Sequence, residues 1–177
     1  MNKVFFLIIF TLLISCSEGD IIENDISNFT APLENCSNQS NDTFVFFKTD
    51  SEINQSISLS FTSTVFELNT IPDNEELTLT ITLDGTANVL IYRQFDTAIN
   101  GSEYFCSSVP PGDITVTQEL ISSNGNAEIK YTLLSETMTE ATYTRTFTLN
   151  DITLEGPDIA IRQEVLEFGN DEITITK

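Results

Sequence analysis

An all-β, antiparallel fold is predicted from three observations. Apolar residues alternate with Thr and Ser at period two from Thr43 to the C terminus. Turn dipeptides punctuate that alternation, and nowhere does an i, i+3, i+4, i+7 pattern persist over three helical turns. Roughly eight to ten short strands of this kind predict a two-sheet sandwich, immunoglobulin-like or jelly-roll-like, with a closed β-barrel as the alternative.

Each element has its own warrant. Phe44, Val45, Phe46 and Phe47 make a dense apolar first strand. Ile57, Leu59 and Phe61 then alternate with Ser58, Ser60 and Thr62, and Leu77, Leu79, Ile81 and Leu83 alternate with Thr78, Thr80 and Thr82. Asp84-Gly85 has the composition of a tight hairpin turn, so Val89 to Phe95 is expected to return beside Leu77–Leu83. A loop from Asn100-Gly101 to Pro110-Pro111-Gly112 carries Cys106. Ile114 to Ile121 is the next strand, Asn124-Gly125 a second hairpin turn, and Ala127 to Leu134 its return. Ala141 to Leu149 alternates again, with a short continuation at Ile152 and Leu154 before Gly156-Pro157 breaks it. Ile159 to Phe168 reads as a strand or a turn of helix, and Ile173 and Ile175 as a final strand.

Ahead of this lies a different kind of sequence. Lys3 is followed by a largely apolar stretch from Val4 to Ile14 and then Ser15-Cys16. Eleven residues rise about 16 Å as a helix, roughly half a hydrocarbon core, so this reads as an export signal rather than a membrane span. Leu13-Ile14-Ser15-Cys16 resembles the lipobox of bacterial lipoproteins. That resemblance implies cleavage between Ser15 and Cys16 and acyl chains, palmitate among them, on Cys16. Ser17-Glu18-Gly19-Asp20 resembles the surface-export signal of Bacteroidetes-type lipoproteins. The predicted organisation is therefore a signal peptide over 1–15, a lipidated Cys16 with a flexible acidic tether over 16–41, and one β-domain over 42–177.

Composition narrows the chemistry. The chain carries 27 acidic and seven basic residues. Loss of the leader takes Lys3 with it, leaving a formal charge of −21 on 162 residues. Such a domain repels phosphate backbones, which argues against nucleic acid as a partner. The chain has no histidine, which removes the usual general base, the imidazole zinc ligand and the Ser-His-Asp triad. It has no tryptophan, the best platform for stacking a sugar ring. With Cys16 lipidated, Cys36 and Cys106 remain, and a pair in an exported protein predicts one disulfide.

Tyr104-Phe105-Cys106-Ser107-Ser108-Val109-Pro110-Pro111, with the strands that follow it, is similar to small uncharacterised lipoproteins of flavobacterial-type Bacteroidetes. The resemblance implies a shared β-rich fold and an envelope location, and brings no reaction, ligand or catalytic residue.

Two arginines are the candidate binding residues. By strand parity Arg93 falls with Val89, Ile91 and Phe95, and Arg145 with Tyr143, Phe147 and Leu149. A cation on a core-facing row needs a carboxylate or a polar mouth. Two readings stand: an anion-binding spot at one end of the fold, or pairing with one of the many acids while the stem covers apolar surface. Oxygen-rich turns at Asp73 and Glu75 and at Asp171 are weak Ca²⁺ candidates, none with the spacing of a calcium loop. No cofactor is expected. The function predicted is a non-catalytic binding, adhesion or scaffold module, lipid-anchored at the outer membrane and facing the cell surface, with an envelope protein or glycan as partner. The alternatives are a carboxylate-dependent enzyme or accessory factor acting on glycans or peptides, and a carrier of a small apolar ligand.

Overall fold

The computed structural model describes residues 26, 29–36 and 42–177, so the leader and Cys16 lie outside the described residues. The chain runs β1 (Glu34–Asn35), β2 (Thr43–Asp50), β3 (Gln55–Thr62), β4 (Thr78–Thr82), β5 (Val89–Phe95), a helix α1 (Gly101–Cys106), β6 (Val116–Glu136), β7 (Glu140–Gly156) and β8 (Ile159–Thr176). All eight strands belong to one antiparallel sheet, ordered β1-β2-β3-β5-β6-β7-β8, with β4 also paired to β6. The expected two-sheet sandwich is therefore not formed. A single sheet curls into a half-barrel and packs its concave face against itself.

The expected closed barrel is not formed either. The sheet's two ends approach closely: the Phe46 and Phe147 rings are 4.6 Å apart, and Asn35 Nδ2 donates to Asp171 Oδ2 at 3.2 Å. Among the described residues no backbone ladder joins β1 to β8, so closure is made by side chains alone.

Curling follows from three long strands that bend instead of ending. In β6 the residues facing the core are Leu120 and Ser122, then Ala127, Ile129 and Tyr131, so the buried parity changes from even to odd. The change occurs at register shifts between Ser122 and Asn126, where Gly125 takes φ +118°. In β7 the parity switches from Leu149 to Ile152 across Asp151, at φ 53°, and in β8 from Phe168 to Ile173 across Gly169, at φ 140°. An extra residue on one strand bends it and raises its twist, and here it restores the apolar side chains to the concave face after each bend.

Both predicted hairpin turns are corrected by this. β4 and β5 each pair antiparallel with β6, Ile81 opposite Ala127 and Tyr92 opposite Leu120, so they run in the same direction along one partner. The intervening residues make a self-contained excursion in which Asp84 N–H donates to Asn88 O at 2.9 Å. Asn124-Gly125 sits inside β6 as its bend, and Leu83 N–H donates to Gly125 O at 2.9 Å. The two glycine dipeptides thus meet: a Cβ on Gly85, at φ +71°, would stand 2.6 Å from Ser122 O. The turns between long strands lie instead at Thr137–Thr139, where Thr137 N–H donates to Glu140 O, and at Pro157-Asp158. Ile159 to Phe168 is strand, continuous with Ile173 and Ile175.

The concave face is filled by phenylalanines. Phe46, Phe61 and Phe147 come from strands, and Phe66 comes from the segment between β3 and β4; each is at most 1% exposed. Phe66 packs 5.6 Å from Phe46 and 5.3 Å from Phe61, so this segment plugs the half-barrel. Ile26, Phe29 and Leu33 pack against the same core. The described residues just before Cys36 are therefore part of the body.

On the convex face α1 covers a second, smaller cluster. Asn100 caps the helix by accepting from Glu103 N–H at 3.1 Å. Gly101 lies against Phe47, Phe105 stacks on the Phe47 ring at 4.7 Å, and Tyr104 meets Phe95 edge-on at 5.1 Å. Cys106 at the helix end is disulfide-bonded to Cys36, as the cysteine count predicted.

Candidate functional site

Register brings Tyr131, Arg145 and Asp171 into one row across β6, β7 and β8. Arg145 is fully buried. Its Nε donates to Asp171 Oδ1 at 2.9 Å, Nη2 to Oδ2 at 2.6 Å, and Nη1 to the Leu68 carbonyl at 2.8 Å. The guanidinium carbon lies 5.0 Å from the Phe46 ring centre, 5.3 Å from Phe66 and 5.4 Å from Phe147. A planar fork suits this setting, because it satisfies a carboxylate along one edge while its faces rest on aromatic rings. Burial pushes the Tyr131 phenol up, while the Arg145 charge beside it pulls the other way.

Within the fold the Arg145 guanidinium already has partners. Asp171 occupies the edge that an external anion would take, and the rings and the Leu68 carbonyl take the rest. Arg145 is an internal tie that fixes the plug segment, and through Asp171 and Asn35 the first strand, to β7 and β8.

Arg93 is placed elsewhere. Leu90 and Tyr92 face the core from β5, so Arg93 lies on the convex face and not on the core-facing row expected of it. Its Nε meets Glu119 Oε2 at 2.6 Å, opposite it on β6, and both side chains are partly exposed. The two arginines therefore do not converge on a shared site. The calcium candidates separate as well: Asp171 is consumed by Arg145, whereas Asp73 and Glu75 sit in an exposed turn. Among the described residues no three Cys, Asp or Glu side chains converge as metal ligands would.

Three features escaped the sequence reading. Lys48 points into the concave face, 8% exposed, donating from Nζ to Phe29 O at 3.1 Å and lying 6.0 Å from the Phe168 ring. Burial lowers its pKa. Its position two residues after Phe46 on a strand was the available signal. A hollow of about 360 Å³ opens between the plug and β4, lined by Val65, Glu67, Ile71, Asp73, Leu79 and Tyr131. A second, of about 480 Å³, runs along Val116–Ile121 and Glu155–Pro157 and includes Glu119.

Finally, the outer end of β6 is bare. β4 pairs with Asn126–Lys130, and Tyr131 N–H donates to Leu77 O at 2.9 Å. Beyond that point β6 pairs only with β7 among the described residues. Leu133, Leu134 and Met138 are 46%, 57% and 97% exposed there.

No family model matches the chain, and comparison with curated proteins and with solved structures finds no match.

Proposed function

We propose that the protein is a non-catalytic binding or scaffold module, held at the outer membrane by lipid on Cys16 and presented toward the cell surface. The observation that carries this reading is the filled half-barrel: phenylalanines and a buried ion pair take the space a carrier would give to its ligand. What the fold offers a partner is its outside, in the form of strand edges and hairpin ends. The lipobox-like Leu13-Ile14-Ser15-Cys16 and the Tyr104–Pro111 stretch resembling flavobacterial lipoproteins support the envelope location. The high negative charge supports a partner that is not nucleic acid. Affinity capture from native envelopes, with the lipid-anchored protein as bait and a Cys16→Ala form as control, is expected to retrieve a reproducible surface component. Mass spectrometry finding Cys16 unmodified, or bait and control retrieving the same background, overturns the proposal.

A second reading has one observation in its favour. Glu67 and Asp73 both line the hollow beside Tyr131, and two carboxylates suffice for glycoside hydrolysis when spaced about 5–9.5 Å apart. Incubation with mixed glycans, followed by product analysis, decides it: products made by the native protein and lost in Glu67→Gln support an enzyme.

A further inference from the structure

We infer that the bare edge of β6 beyond Tyr131 receives an extended segment of a partner protein, added in line with β4 and ending in basic residues. This rests on the binding-module reading and names the surface and the chemistry that serve it.

The sheet is complete up to one row. On the concave side of β6, Ala127 is opposite Ile81, Ile129 is opposite Leu79, and Tyr131 receives its backbone partner from Leu77. Leu133 continues that row and is paired with Tyr143 of β7 on one side only. On its other side no strand among the described residues is paired with it, and it is 46% exposed. Because backbone groups alternate along a strand, Leu133 N–H and C=O point the same way as those of Tyr131, toward the vacancy. An unpaired strand edge with apolar side chains is a template for one more strand, and natural proteins usually blunt such edges with charge, proline or a covering loop. Here Thr132–Ser135 has no charge and no proline, and the register shift between Leu133 and Ser135 begins only past the Leu133 row.

Charge selects the occupant. The chain enters β4 from a turn whose Asp73, Glu75 and Glu76 are exposed and form no ion pair among the described residues. Glu136 at the opposite end is already paired with Lys177. A strand antiparallel to β6 starts beside Glu136 and finishes beside the acidic turn, so its C-terminal residues are the ones that meet three free carboxylates. Asp73 also lines the hollow of about 360 Å³, which gives a long basic side chain an apolar wall for its stem. A second copy of this chain is disfavoured, since it would bring another large negative charge to the same edge. Ladder bonds would supply affinity and the acidic turn direction, as in other cases of strand addition.

The test uses the mature soluble protein and fluorescent, amidated peptides of alternating valine and threonine. One peptide ends in two lysines, one begins with them, and one ends in two glutamates. Fluorescence anisotropy is expected to rank lysine-last tightest, with lysine-first and glutamate-last each at least tenfold weaker. Amide exchange is expected to slow at Leu133 on binding. Glu75→Lys/Glu76→Lys, on an exposed turn, is expected to erase the preference for lysine while circular dichroism stays unchanged. Leu133→Pro, which removes the N–H, should abolish binding; if it fails to fold, the turn variant alone decides. Equal affinity for all three peptides, slowed exchange confined to another strand, or a dimer by sedimentation that protects Leu133 without peptide overturns the proposal. If Glu75→Lys/Glu76→Lys leaves envelope capture by the anchored protein undiminished, the edge assignment falls and the binding-module reading stands.

Discussion

Replacing Arg145 by glutamine removes two bonds to Asp171 and one to Leu68 O, and leaves the Asp171 carboxylate without its counter-ion. Breaking a buried pair from one side costs about 3–5 kcal/mol, because the remaining charge stays desolvated. Urea unfolding of Arg145→Gln is expected to show a loss of that size, while Arg145→Met combined with Asp171→Leu recovers at least about half of it. Arg93→Gln is the contrast: its pair with Glu119 is solvent-accessible, and the expected change is within about 1 kcal/mol. The sequence placed both arginines on apolar rows but could not separate these cases. Parity names a face and leaves open which face the core occupies, and the plug that brings Phe66 and the Leu68 carbonyl to Arg145 has no periodicity to reveal it.

At the scale of elements, the link between β4 and β5 is held by one carboxylate. Asp84 Oδ1 accepts N–H from Thr86 at 2.8 Å, Ala87 at 2.8 Å and Asn88 at 3.0 Å. Backbone donors, Thr86 and Asn88 foremost, lower its pKa from 3.8 to about 2. A carboxyl depressed in the folded state contributes stability that is complete above its unfolded value and lost as pH falls through the folded one. Asp84→Ala is therefore expected to lower the urea midpoint at neutral pH. The gap from the native protein should close between pH 3.8 and about 2, as both are titrated downward. That same excursion shows where the sequence misled. Strand existence was legible nearly everywhere from alternation, but Asp84-Gly85 and Asn124-Gly125 have the composition of hairpin turns while serving as adjoining bends on neighbouring strands. A parity break caused by a bulge is identical, read along one chain, to a strand ending. Hence β6, β7 and β8 each read as two shorter strands, and many short strands favour a sandwich over a curled sheet. Asn100 and Glu103 did carry the signature of a capped helix, which the surrounding loop composition obscured.

For the whole molecule, the Cys36–Cys106 bond spans 70 residues and ties the start of the body to α1. Closing a loop of that length removes denatured-state entropy amounting to about 4 kcal/mol. Reduction, or Cys36→Ala with Cys106→Ala, is expected to lower unfolding stability by up to about that much. Amide exchange should accelerate first in α1, whose six residues are too few to hold a helix without the Phe47 and Phe95 contacts. An unchanged urea midpoint after verified reduction would show that the bond adds nothing to folding.

The bond also decides how the molecule answers a pull. Tension arriving along the chain ahead of Cys36 passes straight through sulfur to Cys106 and on into the long strands. β2 to β5 hang off that route as a slack-free loop that carries no load. Stretched between its ends, the oxidised protein therefore withholds those 70 residues, about 230 Å of chain at full extension. A thiol reagent would return that length to the load path, to be drawn out only as the ladders of β2, β3 and β5 give way.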